Sequence, residues 1–219
     1  MICFLRSHSL RKITNSKPYM MFSIYGRLTI LNLVFMFLIF FYSCSEGKTN
    51  LTPVSYSQFE VFVNQTGYVT DAEKYGWSIV QTDVYNYKTI KNANWRTPDG
   101  VNKPNSKKLP VTQVSYNDAL AYCKWAKKRL PTHEEYWELI KNDTRIIVSD
   151  NKFSISKINE VNIVSNVWDI TEVEDGNSVR LAGGSLFCSE STCNGTVKGR
   201  ELFVDRETGN INVGFCVIN

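Results

Sequence analysis

Four times along this chain a Ser or Thr stands three residues ahead of an acid or an amide at the head of an apolar stretch: Ser55 with Gln58, Thr70 with Glu73, Ser115 with Asp118, and Thr132 with Glu135. In such a capping box the hydroxyl covers one free amide of a helix start and the side chain three residues on covers another, so each pair predicts where a helix begins. The first helix carries Phe59, Phe62 and Val63 inward and stops near Gly67. The second is a single turn ending at Gly76. The third places Ala119, Leu120, Cys123 and Ala126 on one face, and the fourth does the same for Tyr136, Leu139 and Ile140. The expectation is that these faces are core.

Between and after these helices regular patterns run out. Asn, Gly, Pro and Lys crowd residues 92–109, and only short strand-like runs appear, at 145–148 and 214–218. Nothing suggests alternating βαβ units. So much irregular backbone is costly to order, which predicts a loop-rich α+β domain held by cross-links or a bound ion.

The 219 residues carry 25 basic and 21 acidic side chains, a net +4. Arg6, Arg11, Lys12, Lys17 and Arg27 all fall within residues 1–43, where no acid stands, so the remainder holds 20 basic residues against 21 acidic ones. A near-neutral body gives no compositional support for binding nucleic acid. Histidine is confined to His8 and His133, which leaves one imidazole for any catalytic triad, zinc site or facial iron site in the folded part. Neither a glycine-rich phosphate loop nor an HExxH helix is found.

Residues 28–42 read LTILNLVFMFLIFFY, fifteen uncharged residues behind Arg27, followed by Ser43 and Cys44. The run is shorter than the roughly 20 apolar residues of a spanning helix and fits a signal-peptide core. A small residue directly before a cysteine resembles a bacterial lipoprotein cleavage box. That predicts a leader over 1–43, with Met20 or Met21 the expected true start, then lipidation of Cys44, a short linker over 44–54, and a domain over 55–219 on the extracytoplasmic side of a bacterial membrane. Cys123, Cys188, Cys193 and Cys216 then lie in an oxidising compartment, where disulfides are the default expectation.

The run PVTQVSYNDALAYCKWAKKRLPTHEEYWEL over 110–139 resembles the signature of the formylglycine-generating enzyme, or sulfatase-modifying factor, family. YSQFEVFVNQTGYVTDAEKYGWSIV, ANWRTPDG, NIVSNVWD, AGGSLFCSESTC and NVGF resemble further blocks of it, in the same order. The resemblance implies an irregular, C-type-lectin-like fold. It implies that Cys188 and Cys193, spaced as the family pair is, hold Cu(I) with Ser185 near the reacting thiol, and that O2 is used to oxidise a substrate cysteine to formylglycine. The substrate so implied is a sulfatase polypeptide with a Cys-x-Pro-x-Arg segment. A disulfide between Cys188 and Cys193 is the alternative at this spacing.

By the same resemblance Cys123 pairs with Cys216, although Cys216 stands one residue early and the arginine of the family's Gly-Phe-Arg is missing. A calcium loop is implied over 162–169, with Asn162 and Asp169 contributing side chains and Ser165 and Val167 contributing carbonyls; aspartate is shorter than the usual glutamate. The Arg- and Tyr-rich stretch that follows the cysteine pair in the family is replaced here by NGTVKGRELF, and Ala182 stands where arginine commonly precedes Gly-Gly-Ser. These departures leave a second reading open: a non-catalytic binding or envelope-assembly lipoprotein of the same fold.

Overall fold

The computed structural model describes residues 50–140, 155, 158, 163–173, 176, 178–188 and 202–219. All lie in a compact unit that spans Lys48–Asn219. The leader, Cys44, Asn162, Cys193 and the strand-like run at 145–148 fall outside the described residues.

The four capping boxes open four helices. These are α1 (Tyr56–Thr66), α2 (Asp71–Tyr75), α3 (Tyr116–Ala126) and α4 (His133–Leu139), each with both reciprocal bonds of its box in place. Gly67 and Gly76 close α1 and α2 in the left-handed region, where a residue without a Cβ is unstrained. Lys127 closes α3 in the same conformation.

The buried faces differ from expectation at two leucines. Leu120 and Leu139 are both 37% exposed. The face of α3 turns instead toward Tyr122, whose ring packs on Phe59, Phe62 and Phe215. An aromatic ring of that size draws the helix face to itself, and Leu120 moves to the margin.

Seven strands complete the unit among the described residues: β1 (Thr52–Pro53), β2 (Trp77–Gln81), β3 (Tyr87–Lys91), β4 (Trp168–Ile170), β5 (Val179–Ala182), β6 (Leu202–Val204) and β7 (Val213–Val217). Strands β2 and β3 form an antiparallel hairpin, and the others form a five-stranded sheet in the order β1-β7-β4-β5-β6. Its pairs are antiparallel except β4 with β7, which run parallel, Asp169 beside Gly214 and Ile170 beside Phe215. Gly214 is required there, because a Cβ would overlap the Val111 carbonyl oxygen.

Side chains alternate across a strand, so β4 and β7 divide the interior into two faces. Trp168, Ile170, Val213, Phe215 and Val217 join α1 and α3 in the larger cluster, which also holds Cys123. Ala182 joins Tyr136 of α4 and Ile140, the residue that caps that helix, in a smaller one. Asp169 and Cys216, one residue out of step with the first set, share a hydrogen bond away from it.

That division corrects the pairing of Cys123 with Cys216. Both are free thiols, and both are buried. The single-residue displacement of Cys216 in the sequence is the reason, since a shift by one along a strand turns a side chain to the opposite face. Val217, not Cys216, shares the cluster of Cys123.

Candidate functional site

The AGGSLFC segment leaves β5 and turns sharply. Gly183 has φ 87°, and a Cβ on it would overlap the Tyr136 hydroxyl, so glycine here admits both the turn and the ring of α4. Beyond it, Ser185 and Cys188 close a short turn: the Cys188 N–H donates to the Ser185 carbonyl at 2.8 Å. The Ser185 N–H in turn donates to Cys188 Sγ at 3.4 Å. The two residues expected to share the reacting centre are thus held by one turn, and both are buried.

Cys188 is disulfide-bonded. The other described cysteines, Cys123 and Cys216, are free thiols. A soft two-sulfur site of the kind that suits Cu(I) is reached from this state by two electrons and two protons, which convert one disulfide to two thiols. The donor chemistry fits copper once that reduction has occurred. Among the described residues there is no group of three or more His, Cys, Asp or Glu side chains that could hold a metal ion.

Beneath the turn runs a chain of buried amides. Asn212, from the NVGF block, donates Nδ2 to Ser185 Oγ at 2.8 Å and to Gln81 Oε1 at 2.8 Å. Gln81 is held by its own Nε2, which donates to the carbonyls of Asp83 at 2.9 Å and Val84 at 3.4 Å. Neither amide is among the residues singled out from sequence. Asn212 carried a signal, being the one polar residue in a block otherwise buried against the core.

Next to Cys188, Leu186 and Phe187 form one wall of a groove of about 370 Å³ whose other walls include Tyr56, Trp95, Pro98 and Pro104. Aromatic rings and prolines give it apolar sides, while Asn102 and Asn105 add amide groups that can pair with a peptide backbone. The ANWRTPDG block supplies Trp95 and Pro98, with the Arg96 guanidinium 4.2 Å from the centre of the Trp95 ring.

Of the expected calcium ligands, Ser165, Val167 and Asp169 are described. Ser165 has φ 75° and donates its N–H to the Gly183 carbonyl at 2.9 Å. Asp169 Oδ2 accepts from the Tyr136 hydroxyl at 2.9 Å, and the Cys216 thiol also donates to this carboxyl. Burial drives the Asp169 carboxyl up to about 7, against the lowering effect of those two bonds. Its only bonded partners among the described residues are uncharged donors. Burial likewise pushes the Cys123 thiol up to about 12 and Cys216 well above its ordinary value, so neither is a nucleophile near neutrality.

Known proteins share much of this chain. The family described as the sulfatase-modifying factor enzyme 1-like domain matches residues 49–180. The formylglycine-generating enzyme of Bos taurus is 45% identical over 106 residues, 39% of this chain and 27% of that protein. A bovine relative named inactive C-alpha-formylglycine-generating enzyme 2 is 38% identical over 107 residues, 41% of this chain and 35% of its own. The chain therefore spans only about a third or less of the length of these relatives. Among solved structures, PvdO from Pseudomonas aeruginosa superposes with a TM-score of 0.55 at 11% identity, over 76% of this chain and 77% of that one, a likeness of fold alone.

Proposed function

We propose, from the premise that the chain belongs to the sulfatase-modifying factor family, that it oxidises a cysteine of a bound polypeptide to formylglycine. The observation that carries the reading is the turn that sets the Ser185 N–H against the Cys188 sulfur, whose two middle residues, Leu186 and Phe187, line an aromatic- and proline-lined groove. Such a groove suits an extended peptide, with its apolar walls taking side chains and its amides taking backbone groups. A sulfatase segment of the Cys-x-Pro-x-Arg type is the proposed substrate.

Held by the sulfurs of Cys188 and Cys193, Cu(I) would supply a soft acceptor for the substrate thiolate and electrons for O2. The protein's own share is positional. Leu186 and Phe187 keep water from the wall next to Cys188, and the Ser185 N–H offers a donor to sulfur charge. In the complete reaction a thiol, O2, two electrons and two protons give an aldehyde, hydrogen sulfide and water, so a reducing thiol must accompany it.

A calcium ion on Asn162, Ser165, Val167 and Asp169 belongs to the same proposal. It is supported by a wholly buried carboxylate without a cationic partner among the described residues. Anchoring through Cys44 belongs to it as well, and Cys44→Ala is expected to abolish fatty-acyl labelling of the processed chain; unchanged labelling would end that part of the reading.

The test uses the mature protein, reduced and loaded with one equivalent of Cu(I), with a Cys-x-Pro-x-Arg peptide under O2. The expected product is an aldehyde trapped by a hydrazide, lost in Cys188→Ser and Cys193→Ser and retained in Cys123→Ser. The disulfide at Cys188 favours the second reading, a binding protein of the same fold. A pair that neither reduces under mild thiol nor takes up copper would establish that reading instead.

A further inference from the structure

Asn212 is 1% exposed and spends both hydrogens of one amide nitrogen, one on Ser185 Oγ and one on Gln81 Oε1, each at 2.8 Å. Ser185 Oγ also accepts from the Phe187 N–H at 3.4 Å. A hydroxyl has two acceptor sites and one donor hydrogen. With both acceptor sites taken by N–H groups, the hydrogen of Ser185 is left to be donated, on a residue whose backbone closes a turn with Cys188.

We infer that Asn212 is a positioning residue, which fixes the Ser185 hydroxyl as a hydrogen-bond donor to the sulfur that reacts at Cys188. This deepens the function proposed above and rests on it for the identity of the reaction. Three features separate the role from plain packing. The amide cannot rotate, because Gln81 holds the same nitrogen from the other side and is itself fixed by the Asp83 and Val84 carbonyls. Asn212 Oδ1 is buried and has no hydrogen-bond partner among the described residues, a cost that an apolar residue of similar shape would avoid. The bonds of Asn212 Nδ2 run from a strand end to residues 27 and 131 positions away, so the group joins the hairpin to the turn at one point.

A hydroxyl donor at sulfur stabilises a departing thiolate, so it accelerates opening of a disulfide as well as chemistry on a bound substrate thiol. In the first of these, a dithiothreitol thiolate attacks the disulfide of Cys188, one protein sulfur leaves as thiolate, and dithiothreitol ends as the cyclic disulfide. This gives a readout independent of copper and of substrate.

The experiment is a double-mutant cycle of Asn212→Leu and Ser185→Ala in the mature protein, with Asn212→Asp alongside. Asn212→Leu is expected to slow reduction of the Cys188 disulfide by dithiothreitol 5- to 10-fold. It should lower kcat for peptide oxidation by 10-fold or more, with KM changed less than 2-fold. In the Ser185→Ala background the same change should cost less than 2-fold in either rate, because there is no hydroxyl left to position. Asn212→Asp keeps the shape but turns the bond round: its carboxylate accepts the Ser185 hydrogen and draws it from the sulfur, so it should be at least as slow as Ser185→Ala. If Asn212→Leu fails to fold, the cycle is read with Asn212→Asp in its place. Full additivity of the two changes, or an aspartate variant as fast as wild type, overturns the inference. A wild-type protein that oxidises no peptide overturns the functional reading alone, since the reduction rates still decide the role of Asn212.

Discussion

At the scale of single residues, Cys216 shows how much one step along a strand decides. Phe215 faces the aromatic core of α1 and α3, so Cys216 faces the other way and hydrogen-bonds Asp169. Val217, on the same face as Phe215, lies in the cluster that holds Cys123. Val217→Cys is therefore expected to form a disulfide with Cys123 on air oxidation, visible as a loss of two hydrogens by mass and of one pair of free thiols. In the chain-entropy account a loop of this length contributes roughly 4.5 kcal/mol, read as a raised melting temperature. Cys216→Ser should give no such change, and a Val217→Cys protein that stays fully reduced would mean the two positions do not meet. The resemblance to the family did place Ser185 beside Cys188, because those residues lie in one short stretch. Asn212, Gln81 and Tyr136 were not legible as site residues, since each reaches the site from a distant part of the chain.

Among elements, the helix starts were the most legible feature, because a capping box is local chemistry and all four were visible as spaced pairs. One of these boxes also joins two helices. Asp118, N3 of α3, accepts from Ser115 within its own box at 2.9 Å and from the Asp71 N–H and Tyr68 hydroxyl at 3.1 and 3.0 Å, which docks α2 on α3. At α4, Glu135 completes its box and also receives both amino groups of the Arg129 guanidinium, at 2.6 Å each. Those bonds hold its carboxyl down at about 2, below its ordinary 4.5. A depressed carboxyl adds stability that is complete above its unfolded pKa and is lost as pH falls from about 4.5 toward 2. Glu135→Gln should accordingly lower the melting temperature at pH 7 by a small amount, the pair being partly exposed, and should erase that difference near pH 2. An equal deficit at both pH values would assign the effect to the cap rather than the charge. The helix faces and sheet order were less legible, because Leu120 and Leu139 are displaced by long-range packing and the parallel pairing of β4 with β7 joins segments that no local pattern links.

For the molecule as a whole, two devices were expected to offset the ordering of irregular backbone: a cross-link and an ion. The Cys123–Cys216 cross-link is absent, and the aromatic cluster of Phe59, Phe62, Trp95, Tyr122 and Phe215 stands in its place. The second device is the calcium ion proposed above. A calcium chelator is expected to lower the melting temperature of the wild type and to leave Asp169→Asn unaffected, because the neutral amide keeps the shape but not the charge. Identical melting of the wild type with and without chelator would assign Asp169 to its bonds with Tyr136 and Cys216 alone. The order of the sheet bears on a different matter, the timing of folding. Strand β7 follows in sequence every strand it joins, yet it lies between β1 and β4. Until β7 has been made, β1 has no edge to pair with and the parallel seam cannot close. A ribosome-bound or truncated chain stopping before Val213 consequently lacks the sheet centre and is expected to stay protease-accessible until synthesis has passed β7.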